Sequence, residues 1–311
     1  MSQKIAVIAG PTATGKTALG ITLAKRLGGE VISADAMQVY RAMNIGTAKT
    51  TVAEQQGIRH HMLDVASPFE SYSVARYVQE ASACADDILS RGRLPIVVGG
   101  TGLYIEALIA GNEFSPVGDA ALRQRLSDRY DGSGGEALLE ELARVDPQAG
   151  ARLHANDKKR IIRALEIFEL TGKPMSEHDS QTKKRPPRYD ACRIVLSYGN
   201  RAELYEAINR RVDNMMADGL LGEVRQLLDA GLTLAHTAMQ AIGYKELARA
   251  ITTNQDIQVA VDEIKRETRR YAKRQLSWFR REPGAHWILW EKEPDFDTGL
   301  QLSTKYLETN G

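Results

Sequence analysis

The chain has 311 residues, 43% of them hydrophobic and 26% charged, the proportions of an ordinary globular protein with a sizeable core. A net charge of +1 by itself indicates no polyanionic partner, and no uninterrupted apolar run is long enough to span a bilayer, so no membrane partner is expected. The two cysteines, Cys84 and Cys192, lie far apart without C-x-x-C spacing, which argues against a disulfide framework and a cysteine zinc site and leaves them as packing residues.

The opening MSQKIAVIAG runs straight into a strand, Ile5 to Ala9, without a basic leader or cleavage site, and a cytoplasmic location is expected. Gly10-Pro11-Thr12-Ala13-Thr14-Gly15-Lys16-Thr17 follows, then a helical pattern from Ala18 to Leu27. The spacing G-x-x-x-x-G-K-T lets backbone N–H groups wrap an anion at a helix N-terminus. It sets an ammonium against the outer phosphate oxygens and offers the Thr17 hydroxyl to a magnesium ion. Nucleoside triphosphates are the usual tenants of such a cradle, and a pyrophosphate ester offers the same kind of oxygens.

Glu30 to Asp35 reads as a short second strand ending in a carboxylate, and His60 to Val65 as another strand. Val74, Tyr77, Val78, Ala81, Ala85 and Ile88 have helical spacing. Leu94 to Val98 is a continuous apolar run suited to a strand buried on both faces, and it stops at Gly99-Gly100-Thr101-Gly102. Strands alternating with helices indicate an α/β fold with a parallel sheet and its ligand outside the carboxyl ends of the strands. Asp35, the phosphate loop and Thr101 all fall at such ends and should share one cleft.

From about Asn112 the pattern is helical over 120–130, 135–145 and 156–170, without an intervening strand, which reads as a helical insertion. The expected division is a core of 1–112 and 190–311 and an insertion of 113–189. Strand character returns at Cys192 to Tyr198; helices follow over 202–219, 221–230 and 256–281, then a short strand from His286 to Trp290. The tail after Glu291 is polar and carries no clear pattern.

Asp35 beside a phosphate cradle is a candidate general base or magnesium ligand, against the plainer reading of a turn or cap residue. Gln38 offers a bidentate amide of the kind that reads an adenine edge. Thr101 offers a hydroxyl to a leaving oxygen or a nucleic-acid backbone, unless its Gly-Gly turn is only a tight connection. Adjacent His60 and His61 point to opposite faces of a strand with no third ligand evident, so packing is expected rather than a metal. Basic groups occur at Lys158, Lys159, Arg160 and Arg163 and at Lys183, Lys184, Arg185 and Arg188. From Lys265 to Arg281 eight Lys or Arg face one acid, Glu267, with Tyr271, Trp278 and Phe279 interleaved. That mixture suits an RNA backbone with unstacked bases better than a solvated face.

Nine blocks in order resemble the tRNA dimethylallyltransferase family: GPTATGKT (10–17), SADAMQVYRAMNIGTAK (33–49), HHMLDV (60–65), YSVARY (72–77), PIVVGGTGLYIEAL (95–108), NDKKRIIRALEIFELTGKP (156–174), YEAINRRVDNMMADGLLGEV (205–224), AMQAIGYKEL (238–247) and TRRYAKRQLSWFRR (268–281). Ala36 stands where that family usually has serine. No C-terminal zinc-binding extension is seen, as in bacterial members. The resemblance implies a P-loop NTPase-like α/β sheet with a helical insertion domain. It also implies transfer of dimethylallyl from dimethylallyl diphosphate to the exocyclic amine of the adenine beside the anticodon of tRNA. The loop, although of the ATP-binding type, would then hold the diphosphate through Gly10, Pro11, Thr12, Ala13, Thr14, Gly15, Lys16 and Thr17, with Thr17 helping to place Mg2+. Asp35 would take the amine proton, and Thr101 would lie between diphosphate and nucleic acid. The implied tRNA contacts are Asp35, Ala36, Met37, Gln38, Thr101, Arg123, Lys159, Arg160, Ile161, Ile162, Arg163, Gln240, Ile242, Gly243, Tyr244, Lys245 and Arg274, with the enzyme expected to act as a monomer. An adenine inside a folded loop must be swung out of its stack to reach such a centre.

Three other readings compete. A small-molecule kinase would use Asp35 toward a hydroxyl with ATP in the cradle, but the strand ending Val97-Val98-Gly99-Gly100 lacks the acid that usually holds magnesium there. An isopentenyltransferase of free adenine nucleotides needs no long basic surface. A non-catalytic RNA-binding module has no use for a cradle plus carboxylate.

Overall fold

The computed structural model describes residues 3–112, 118–177, 180 and 186–309; Lys183, Lys184 and Arg185 lie outside them. Two compact units form, one from Met1–Gly111 with Arg188–Gly311 and the other from Asn112–Pro187.

In the first unit the order is β1 (Lys4–Ala9), α1 (Lys16–Leu27), β2 (Glu30–Ser33), α2 (Val52–Gln55), β3 (His60–His61), α3 (Val74–Ser90), β4 (Pro95–Gly99) and α4 (Gly102–Ala110). The second unit contains α5 (Ala120–Ser133), α6 (Gly135–Val145), α7 (Pro147–Arg152) and α8 (Lys158–Thr171). The first resumes with β5 (Asp190–Tyr198), α9 (Arg201–Ala217), α10 (Leu220–Asp229), a 3-10 turn at Ala238–Gln240, α11 (Tyr244–Thr252), α12 (Ile257–Phe279), β6 (His286–Trp290) and α13 (Phe296–Thr309).

The strands form one sheet in the order β3-β2-β4-β1-β5-β6, with every neighbouring pair parallel. Parallel crossovers lay helices on both faces, which is why β1 and β4 are unbroken apolar runs. Ile8, Ile96, Ile194 and Leu196 of the sheet pack with Leu19 and Leu23 of α1 and with Trp290. From β1 the chain passes to β2 on one side and later returns as β5 on the other. The crevice beyond the carboxyl end of β1 is therefore a topological switch point.

Three expectations change. The strand expected over 60–65 is only His60–His61, because Met62 (φ 64°) and Asp64 (φ 56°) turn left-handed. Asp64 thereby receives the Lys49 ammonium at 2.6 Å, and its N–H donates to the Gln38 carbonyl at 3.2 Å. The tail after Glu291 forms α13, whose buried Gly299, Ser303 and Leu307 recur every fourth residue. Two of those three are small, so the apolar signal is faint. The short helices α7 and α11 also form where none was expected.

The second unit encloses its own core of Leu122, Leu126, Leu138, Leu142, Ala149, Ile161, Ile162 and Leu165. Buried Asp146 ties it together, its Oδ1 accepting from Ala149 N at 2.9 Å and its Oδ2 from Ser176 N at 2.9 Å. Glu166, fully buried, receives Arg123 at 2.9 Å and Arg163 at 2.8 Å.

Glu30 is the most heavily engaged carboxylate of the sheet. It is buried at the start of β2 and accepts from Arg91, whose Nη2 lies 2.9 Å away, from Arg93 at 3.2 Å and from His61 Nε2 at 2.8 Å. The Arg91 guanidinium, opposed by burial and helped by His61, holds its carboxyl down at about 2. A carboxyl whose native value lies below its ordinary one contributes stability above that ordinary value and loses it on acidification. Glu30→Ala is expected to cost about 3 kcal/mol in urea unfolding at pH 7. The difference from wild type should shrink as pH falls from 4.5 toward 2.

Candidate active site

β1 ends against the backbone of β5, and Gly10 takes up the approach with φ 139°; a Cβ there would stand 2.2 Å from the Leu196 carbonyl oxygen. Only glycine fits. The chain then turns through left-handed Ala13 (φ 65°) and Gly15 (φ 78°) into α1. Thr14 Oγ1 donates to the Pro11 carbonyl at 2.9 Å, Trp290 Nε1 donates to the Thr14 carbonyl at 3.0 Å, and Thr12 N donates to Gln275 Oε1 at 3.1 Å. Side chains from the far end of the sequence thus hold the loop in shape. The first turn of α1, with Lys16 and Thr17, presents the positive end of a helix, a ready-made anion site. Lys16 Nζ donates to the Pro11 carbonyl at 2.6 Å.

Asp35 follows β2, and its Oδ1 accepts from Met37 N at 2.8 Å and Gln38 N at 3.3 Å. This turn fixes the carboxylate while both bonds fall on one oxygen. Thr101, at the start of α4, accepts from Ala36 N at 3.1 Å through its hydroxyl, so the turns after β2 and β4 are stitched together. That bond joins the neighbouring carboxyl ends directly, through the main chain at Ala36. The side-chain amide of Gln38 is already engaged: Oε1 accepts from Ser33 Oγ at 2.9 Å, and Nε2 donates to the carbonyls of Thr47 at 3.2 Å and Ala48 at 3.3 Å. A bidentate contact to adenine requires exchange of these bonds.

These groups line one cavity of about 860 Å³. Of the expected residues it takes in Thr12, Ala13, Thr14, Gly15, Lys16, Thr17, Asp35, Ala36, Met37, Gln38, Thr101, Gln240, Ile242, Gly243 and Arg274. Gly10 and Pro11 are absent from its wall and shape the loop from behind. Lys245 is also absent; Tyr244 is fully buried, its hydroxyl donating to Glu223, and presents no side-chain surface. In the second unit Lys159 and Arg160 are exposed on α8, whereas the side chains of Ile161 and Ile162 belong to that unit's core. Arg123 and Arg163 are anchored on Glu166.

Arg211 of α9 also lines the cavity, and sequence reasoning did not single it out. The available signal was helical phase, since Arg211 lies on the same turn as Ile208 and Val212 and one turn before Met215. Burial, then the neighbouring Arg211 charge, lowers the Lys16 ammonium to about 7, with Asp35 opposing. Burial lowers Arg211 as well, again against the pull of Asp35. Two desolvated cations and one carboxylate therefore face the same space. An entering anion relieves that imbalance. Val212, Met215, Leu220, Ile242 and Ile264 supply an apolar stretch of the same wall.

Ile264, Thr268, Tyr271 and Gln275 present one face of α12 to the cavity, and burial pushes the Tyr271 phenol up to about 12. The basic character of this helix is more balanced than its sequence implies. Arg270 pairs with Glu267 at 2.7 Å, Arg266 with Glu263 at 3.6 Å and Lys265 with Asp213 at 2.5 Å, the last two acids lying outside the basic run. Arg274 lies 5.6 Å from the centre of the Tyr271 ring.

The sequence matches two protein families, IPP transferase over residues 38–282 and isopentenyl transferase over 3–71. It is 46% identical over 310 residues to a tRNA dimethylallyltransferase of Caldanaerobacter subterraneus, covering 99% of this chain and 98% of that one. It is 49% identical over 289 residues to that of Geobacillus thermodenitrificans, covering 93% and 91%. The crystal structure of the full-length tRNA isopentenylpyrophosphate transferase from Bacillus halodurans superposes with a TM-score of 0.74 at 41% identity, over 99% of this chain and 98% of that one. A eukaryotic dimethylallyltransferase acting on tRNA gives 0.77 at 33% identity, over 89% of this chain and 70% of that one. With a phosphate loop, a carboxylate and an amphipathic cavity at the switch point of a P-loop NTPase-like sheet, the chain belongs to the tRNA dimethylallyltransferase family.

Proposed function

We propose that the chain moves a dimethylallyl group from dimethylallyl diphosphate to N6 of the adenine on the 3′ side of the anticodon in tRNA. The observation that carries this reading is a single cavity with an anion cradle, a fixed carboxylate and an apolar wall. A kinase needs the cradle and the base; a prenyl diphosphate also uses the apolar stretch of Val212, Met215 and Leu220.

The exocyclic amine is a poor nucleophile because its lone pair is delocalised into the ring. As N6 attacks C1 of the prenyl group, a N–C bond forms and the C1–O bond breaks, its electron pair leaving on the diphosphate. The amine proton passes to Asp35, whose Oδ1 is held by Met37 and Gln38 amides while Oδ2 meets the acceptor. Lys16, Arg211 and the loop amides stabilise the charge that grows on the leaving group. Magnesium fits the oxygen donors here, with Thr17 Oγ1 the residue to hold it. Among the described residues no group of three His, Cys, Asp or Glu forms a protein-only cage, so diphosphate oxygens would complete the coordination. Bound there, the ion would add positive charge beside the leaving group. Thr101, Arg274 and the exposed Lys159 and Arg160 are the proposed nucleic-acid contacts, and one chain is proposed to suffice.

Label transfer from dimethylallyl diphosphate to unmodified tRNA tests the reaction. Wild type should label tRNA only when the target adenine is present, and Asp35→Asn should lower turnover by about 10²–10⁴-fold with tRNA binding retained. Consumption of ATP with a small hydroxylated acceptor, and no labelled tRNA, would instead establish the kinase.

The low Lys16 value adds a second test. A Lys neutral above pH 7 in the free protein regains its proton when a diphosphate arrives. Calorimetry at pH 8 in buffers of different ionisation enthalpy should show proton uptake on diphosphate binding, lost in Lys16→Met; no buffer dependence in wild type contradicts the charge balance described.

A further inference from the structure

Gln275 is a neutral side chain, 6% exposed, in the middle of the charged cavity wall. Its amide spans two elements: Oε1 accepts from Thr12 N of the phosphate loop at 3.1 Å, and Nε2 donates to the Gly100 carbonyl of the turn after β4 at 2.8 Å. The amide fills the space a side chain on Gly100 would take, since a Cβ there would stand 2.2 Å from Gln275 Nε2. The next residue, Thr101, bonds the main chain beside Asp35. One amide therefore connects the loop that holds the leaving group to the turn that is stitched to the base.

We infer that Gln275 is a positioning residue for prenyl transfer, setting the distance between the diphosphate cradle and the acceptor side of the cavity. The inference rests on the reaction proposed above. An amide does both tasks at every pH, with a donor and an acceptor at the end of a side chain of this length. A carboxylate keeps the bond from Thr12 N but sets a second lone pair against the Gly100 carbonyl. Protonation restores the missing donor, because a neutral carboxyl has one O–H and one acceptor oxygen. Burial and the Asp35 charge raise the value of such a carboxyl, against the pull of Lys16, Arg211 and Arg274 on the same cavity.

The test compares wild type, Gln275→Met and Gln275→Glu in steady-state transfer, with thermal midpoints measured beside the rates. Gln275→Met keeps length and volume without either bond. It should lower kcat on the order of 10²-fold, the cost of a misplacement of about 1 Å, with KM for dimethylallyl diphosphate within about threefold of wild type. For Gln275→Glu the ratio of its kcat to that of wild type should rise at least about tenfold from pH 8.5 to pH 6, as the variant carboxyl protonates. Wild-type kcat in Gln275→Met, a loss confined to KM, a loss that tracks a fall in thermal midpoint, or a ratio in Gln275→Glu that is flat with pH would each overturn the clamp. Wild type in the same assay separates the two ideas: its failure to transfer overturns the reaction and the clamp with it, whereas its transfer beside an unimpaired Gln275→Met overturns the clamp alone.

Discussion

The loop between β1 and α1 brings Lys16 and the positive end of a helix to one cavity, and distant side chains hold it in shape. Gln275 bonds Thr12, Trp290 bonds the Thr14 carbonyl, and the Leu196 carbonyl leaves space for Gly10 alone. Those partners come from α12, β6 and β5, so the part of the chain from β5 onward serves as scaffold for a motif near residue 10. β1, which delivers the loop, lies inside the sheet between β4 and β5.

A second backbone cradle in the same unit makes the contrast clear. The amides of Asn44 at 2.9 Å, Ile45 at 2.9 Å and Gly46 at 3.3 Å converge on the Glu223 carboxylate, with the Tyr244 hydroxyl as a further donor. There the anion is built in, and the result is structural: it fixes the segment whose Thr47 and Ala48 carbonyls hold Gln38. At the phosphate loop the nearby acid, Asp35, is turned aside by its own amide partners, and two desolvated cations are left to meet a ligand. The second cradle is closed by the protein, and the phosphate loop is left for a ligand to close.

How much of this was legible depended on the range of the interaction. The phosphate loop declares itself in eight consecutive residues because its spacing is its mechanism, and Asp35 and Thr101 could be placed because strand ends in parallel sheets converge. The cavity face of α12 was hidden, since its six basic residues dominate the composition while Tyr271 and Gln275 do the lining. Arg211 lies outside that basic run, and its helical phase with Ile208, Val212 and Met215 is the signal that places it on the cavity. Charge pairing was misread because Glu263 and Asp213, which balance Arg266 and Lys265, lie outside the run that was counted. Ile161, Ile162 and Tyr244 each sit in a matching block, and motif alone did not show that each turns its side chain into a core.

The proposed tenant of the cavity is a prenyl diphosphate rather than ATP. Competition calorimetry with magnesium present tests it most directly. Dimethylallyl diphosphate and inorganic diphosphate should displace one another from a single site, with ATP at least about tenfold weaker than either, a difference of about 1.4 kcal/mol. ATP binding more tightly than dimethylallyl diphosphate and displacing it would contradict the account.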